Sequence, residues 1–147
     1  MTTILFADQC AYMRAYFQQE LEDEGYRVLL ARDGEEAVEM ADSEHPDMVI
    51  LDTWMSRGDG FETAQRIAAI DPGIQVIFFT NCDDLCLSDP RSALAAACVE
   101  RSYDLSELKR AITSVLASRN GKRPYRLGLP PTQRREPAMA VAGSASA

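Results

Sequence analysis

Four residues of chemically useful type close four apolar runs of this chain. ILFA (4–7) is followed by Asp8 and Gln9, MVIL (48–51) by Asp52, QVIFF (75–79) by Thr80 and Asn81, and ACVE (97–100) by Arg101. An ionised carboxylate at the end of a buried segment is costly unless a cation, a donor or a metal meets it. Brought together, Asp8, Asp52, Thr80 and Arg101 make two carboxylates, a hydroxyl and a guanidinium. Such a set suits a hard cation beside a phosphoryl group. Carboxylate oxygens are ligands for Mg²⁺, which keeps several of its waters, and a hydroxyl and a cation hold phosphoryl oxygens. Any one of the four alone is accounted for as a polar residue that ends its strand; four in corresponding places are not.

The elements that must position them follow from the patterning. With RVLLA (27–31) there are five apolar runs, short, β-rich and nearly continuous rather than alternating, as in parallel strands covered on both faces. Amphipathic stretches lie between them. Tyr12, Ala15, Tyr16 and Leu21 share one face of a helix from about 11 to 24. Asp33-Gly-Glu-Glu36 supplies an N-cap with a glutamate three residues on and opens a helix to about Ser43; Asp59-Gly-Phe-Glu62 and Asp104-Leu-Ser-Glu107 repeat the device. SDPRSALAAA (88–97) is the expected fourth helix, after a polar loop NCDDLCL. Strands alternating with helices imply right-handed crossovers and one doubly wound α/β sheet. Ligands of such sheets bind at the carboxyl ends of the strands, where the four residues fall.

The totals are those of one folded domain with a further segment. The chain has 147 residues, 46% apolar and 26% charged. Residues 119–147 carry six basic residues and one acid, a charge of +5, leaving 9 basic and 22 acidic residues, a charge of −13, in the first 118. So acidic a body repels nucleic-acid phosphates. The last 29 residues hold four of the seven prolines and end in small residues, the composition of a disordered basic tail. The start MTTILFAD lacks a signal-peptide pattern, and no apolar run approaches a membrane span, so a cytoplasmic protein without membrane partners is expected. Cys10, Cys82, Cys86 and Cys98 form no C-x-x-C pair and read as reduced thiols.

On ILFADQCAYMR, EGYRVLLARDGEEAVEMADSEHPDMVILDTWMSRGDGFE, the Thr80 that closes VIFFT, and the spacing to ERSYDLSEL, residues 3–118 resemble the receiver domains of two-component response regulators. The resemblance implies a flavodoxin-like (βα)5 fold with strand order 2-1-3-4-5 for residues 1–118, followed by the tail at 119–147. It implies that Asp52 accepts a phosphoryl group from the phosphohistidine of a sensor histidine kinase or a phosphotransfer protein. Mg²⁺ would be held by Asp8, Asp52 and the main-chain carbonyl of Trp54, with Gln9 as a neutral ligand at most. Thr80 and Arg101 would grip the phosphoryl group. The expected protein is a stand-alone signalling module, not an enzyme, that has no DNA-binding domain and acts through a downstream protein effector.

The chain departs from the family pattern at the site. Asp8-Gln9 stands where two consecutive acids are usual, which predicts weaker Mg²⁺ binding. Arg101-Ser102 stands for Lys-Pro, exchanging a compact ammonium for a larger planar fork. A cis bond before Ser102 costs about 2.5–4 kcal/mol, so a trans turn is the expectation, and it leaves open whether Arg101 turns into the site or away from it. Asn81 replaces a small residue, and Cys98 stands where an aromatic is common. Two readings therefore remain open: a phosphoacceptor with altered kinetics, and a pseudo-receiver that binds partners without phosphorylation. A third, a phosphatase with an aspartyl nucleophile, expects Asp-x-Asp where this chain has Asp52-Thr-Trp.

Overall fold

The computed structural model describes residues 1–55, 59–81 and 90–118. Five parallel strands, β1 (Thr3–Ala7), β2 (Arg27–Ala31), β3 (Met48–Leu51), β4 (Gln75–Thr80) and β5 (Ala97–Glu100), form one sheet in the order β2-β1-β3-β4-β5. Helices α1 (Ala11–Asp23), α2 (Gly34–Glu44), α3 (Gly60–Ile70) and α4 (Ser106–Ser118) cover it, and a 3₁₀ turn at Pro90–Leu94 precedes β5. This is the flavodoxin-like architecture, with the strand order that the family resemblance implied.

The near-continuous apolar runs are explained by two cores, one on each face. Because side chains alternate along a strand, Ile4 and Phe6, Met48 and Ile50, Ile77 and Phe79, and Ala97 and Val99 pack with Phe17 and Leu21 of α1 and with Leu108, Ile112 and Val115 of α4. Their neighbours Leu5, Ala7, Val49, Leu51, Val76 and Phe78 pack with Val38 and Ala41 of α2 and Phe61, Ala64 and Ile67 of α3. Each buried large aliphatic or aromatic side chain contributes about 1.5–3 kcal/mol. Both faces of the three central strands are therefore fixed against solvent, and register with them.

Local chemistry sets the helix ends. Asp33 and Asp59 accept from Glu36 N–H at 2.9 Å and Glu62 N–H at 2.6 Å, the N-caps read from the sequence. Helix α1 ends in a Schellman turn: Tyr26 N–H bonds Leu21 O, Gly25 N–H bonds Glu22 O, and Gly25 takes φ +96°. Two expectations are corrected. Asp104 does not cap as the other two do; its Oδ1 accepts from Ser106 N–H, two residues on, at 3.0 Å, and α4 opens at Ser106. The SDPRSALAAA helix is, within the described residues, only the five-residue 3₁₀ turn. The sheet takes its alanines: Ala96 N–H bonds Val76 O at 2.8 Å and Ala97 pairs with Ile77. The loop from Cys82 to Leu87 and the tail from Arg119 lie outside the described residues. Among the described residues no helix is long and apolar enough to cross a membrane.

Candidate functional site

Register brings the strand-end residues together. Ala7 pairs with Leu51, so the residues that follow, Asp8 and Asp52, leave adjacent strands side by side. Thr80 is the last residue of β4, and Arg101 is tied next to it by Arg101 N–H to Thr80 O at 2.9 Å. Hence Asp8, Asp52, Thr80 and Arg101 meet in one crevice at the carboxyl edge of the sheet.

Each group there has a defined orientation. Thr80 Oγ1 donates to Asp52 Oδ1 at 2.7 Å, and Trp54 N–H donates to the same oxygen at 2.9 Å. A hydroxyl carries one proton, so the 2.8 Å contact between Thr53 Oγ1 and Thr80 Oγ1 has Thr53 as donor. The relay Thr53 to Thr80 to Asp52 fixes the carboxylate plane. Asp8 is only 2% exposed, and its Oδ1 accepts from Cys10 N–H at 2.8 Å. Asp8 O accepts from Arg14 Nη1 at 2.6 Å, which holds the start of α1 against the end of β1.

The remaining oxygens face one cation. Arg101 Nη1 contacts Asp52 Oδ2 at 3.2 Å and forms an ion pair with Asp8 Oδ2. The Asp8 contact is one of charges rather than an aligned hydrogen bond, and Oδ2 is otherwise a buried oxygen without a donor. Arg101 also lies over the Phe79 ring, 5.8 Å from its centroid, within cation–π range. Burial opposes the charged guanidinium, but the close contact with the Asp8 carboxylate and the charge of Asp52 outweigh it and hold Arg101 above its ordinary pKa. No cis peptide bond occurs among the described residues, so the turn before Ser102 is trans, and Arg101 nevertheless turns into the crevice, where the strand ends and the family resemblance put it.

Other residues named from the sequence lie at the margin. Gln9 and Asn81 are exposed, and the Trp54 side chain is 76% exposed, so it projects into solvent and does not roof the carboxylates. Cys98 is buried against the α2–α3 side of the sheet. Two contributors were not read from the sequence. Thr53 enters through its hydroxyl, for which its place beside Asp52 was the available signal. Gly60 enters through what it lacks: a Cβ there would lie 2.1 Å from Asp52 O. Gly60 N–H also bonds Thr53 O at 3.1 Å, clamping the loop that carries Asp52.

The crevice offers a hard cation part of a ligand set. Asp8 Oδ2 is a buried anionic oxygen short of donors, and it faces Asp52 Oδ2 across the same nitrogen. Such a donor set fits Mg²⁺ in kind. It is lean in charge, since no group of three or more His, Cys, Asp or Glu residues forms a metal cluster among the described residues.

Comparison with known proteins gives the family of the chain. The profile of the response regulator receiver domain matches residues 4–113. The chain belongs to that family. It is a response regulator receiver domain of two-component signalling. It is 36% identical over 112 residues to the transcriptional regulatory protein PdtaR of Mycobacterium tuberculosis, covering 74% of this chain and 54% of PdtaR. The chain thus spans about half the length of that curated relative. The response regulator TrrA of Thermotoga maritima, solved in complex with Mg²⁺-BeF, superposes with a TM-score of 0.73 at 32% identity, over 78% of this chain and 98% of TrrA. TrrA solved in complex with the histidine kinase ThkA gives a TM-score of 0.71 at 32% identity, over 78% of this chain and 97% of that chain.

Proposed function

We propose that this receiver accepts a phosphoryl group on Asp52 from the phosphohistidine of a partner kinase or phosphotransfer protein and passes the signal to a protein effector in the cytoplasm. One observation carries the reading. Asp52 has one oxygen immobilised by Thr80 and Trp54 N–H while the other faces Arg101 at the mouth of the crevice. A carboxylate so held presents one lone pair in a fixed direction, which is most of what phosphoryl transfer asks of a protein.

The chemistry then runs on this chain's own groups. Asp52 Oδ2 attacks phosphorus; the new O–P bond forms as the P–N bond to the donor histidine breaks, and the electron pair returns to the imidazole. Arg101 offsets the repulsion between an anionic nucleophile and an anionic donor. Its fork can follow the equatorial oxygens as charge gathers on them. Thr80, freed from the carboxylate, can turn its hydroxyl proton to a phosphoryl oxygen. Asp8, Asp52 and the Trp54 carbonyl would hold Mg²⁺, with Gln9 adding a neutral oxygen; bound there, the ion neutralises phosphoryl charge. The partner class rests on likeness to TrrA, which was solved with a histidine kinase.

A second reading has a specific observation behind it. Gln9 is uncharged, and Arg101 already bridges the two acids, as a phosphorylation-independent interaction module would allow. A hydrolytic enzyme is disfavoured because Trp54 stands where a second acid is needed. Intact mass after incubation with acetyl phosphate and Mg²⁺ separates the readings. A labile phosphoryl adduct on the wild type and none on Asp52→Asn is expected. No adduct on either protein refutes the phosphoacceptor, and steady turnover of an external phosphomonoester identifies an enzyme instead.

A further inference from the structure

On the premise of the proposed function that Asp8 and Asp52 take a divalent cation, two of their four carboxylate oxygens are already engaged. Asp52 Oδ1 is engaged by Thr80 and Trp54 N–H, and Asp8 Oδ1 by Cys10 N–H. That leaves Asp8 Oδ2 and Asp52 Oδ2 for a metal. Both meet one atom, Arg101 Nη1. Mg²⁺ requires oxygen ligands at about 2.0–2.1 Å in near-octahedral array. A nitrogen in contact with both oxygens therefore stands between the ligands the ion would use.

Three features keep it there. The guanidinium cannot be neutralised at any pH a protein survives. Its Cζ lies over the Phe79 ring, and its backbone is tied to Thr80 O. Gln9, exposed and uncharged, gives an incoming ion no further negative charge with which to displace it. We infer that Arg101 is a tethered cation that competes with divalent metal for Asp8 and Asp52. Metal enters the crevice only as the guanidinium leaves it, so Arg101 sets the metal affinity of the receiver.

A role in holding Asp8 in place predicts the opposite sign, since removing the arginine would then disorganise the ligands. Mg²⁺ binding by isothermal titration to the full chain decides between them, using wild type, Arg101→Ala, Arg101→Lys and the double variant Arg101→Ala with Asp8→Asn. The expected result is a Kd at least tenfold lower for Arg101→Ala than for wild type, an intermediate value for the shorter ammonium, and loss of the gain in the double variant. Measurable wild-type binding with an equal or higher Kd in Arg101→Ala overturns the competition and leaves the metal reading intact. No binding by any of the proteins overturns both. Should Arg101→Ala not fold, the wild type suffices. Nitrogen-15 NMR of the Arg101 Nε–Hε group during Mg²⁺ titration should shift with the same midpoint as Trp54 N–H. An Arg101 signal that stays unmoved at saturating Mg²⁺ overturns the inference.

Discussion

Replacing Gly60 by alanine tests whether the acceptor loop is held by close backbone contact. The added Cβ would lie 2.1 Å from Asp52 O, 2.7 Å from Thr53 Cα and 2.9 Å from Asp52 C, all main-chain atoms that cannot rotate away. Restoring ordinary van der Waals separation requires the start of α3 and the Asp52–Thr53 backbone to part by roughly 1.3 Å or more. Forced expansion of a packed region costs about 1–3 kcal/mol. The Gly60 N–H to Thr53 O bond, 3.1 Å long, would be lost with it, at about 1 kcal/mol. Alanine's better helix propensity returns up to about 1 kcal/mol. A net loss of about 1–3 kcal/mol is expected in urea unfolding followed by far-ultraviolet circular dichroism, and slower acetyl-phosphate labelling in the molecules that remain folded. Gly25→Ala is the comparison: its Cβ would meet nothing within 4 Å, but φ +96° strains it, at about 1–2 kcal/mol, without touching the site. A Gly60→Ala protein within about 0.5 kcal/mol of wild type, inside the range of an ordinary surface change, would refute the clamp.

Three further outcomes follow from particular contacts. Thr80→Ala leaves Trp54 N–H as the remaining described donor to Asp52 Oδ1; a hydrogen bond to a charged acceptor is about 1.5–3 kcal/mol, so acetyl-phosphate labelling should slow about ten- to a hundredfold, and an unchanged rate would exclude Thr80 from the transfer. Asp33→Ala removes the cap on Glu36 N–H and should cost about 1 kcal/mol in urea unfolding; a neutral result would mean that solvent caps α2 equally well. Lys109 donates to Glu20 at 2.9 Å and lies 3.5 Å from Glu24, and the Glu20 hydrogen bond, followed by the charges of both acids, raises its pKa. A folded pKa above the unfolded value of about 10.4 means stability that is present at neutral pH and lost as pH climbs through the folded pKa. The pair is partly exposed, so Lys109→Met should cost no more than about 1 kcal/mol at pH 7, and the difference from wild type should close once pH has risen through the folded pKa. A gap that persists there would assign the effect to packing.

The sequence by itself determined the architecture of this receiver, because the physics that sets it is local and periodic. Continuous apolar runs have no stable place except as strands covered on both faces, and Asp33 and Asp59 start helices through their own side chains. The same runs located Asp8, Asp52, Thr80 and Arg101, since a charged or polar residue at a fixed end of such a run must meet its neighbours at one edge. Where the sequence misled, a long-range bond prevailed over a local preference. Residues 95–97 are good helix formers, yet Ala96 pairs with Val76 and Ala97 with Ile77. Asp104 similarly closes a two-residue turn where three was expected. What only the tertiary structure decided is the direction of the groups. Arg101 reaches both acids because β5 register and Phe79 aim a side chain whose sequence position allows many directions. Gly60 is required because α3 starts against the Asp52–Thr53 backbone, a contact between main-chain atoms that no residue type encodes. Composition and spacing fix which groups meet; packing from several elements at once fixes which oxygen faces which nitrogen, and that decides how Asp52 can react.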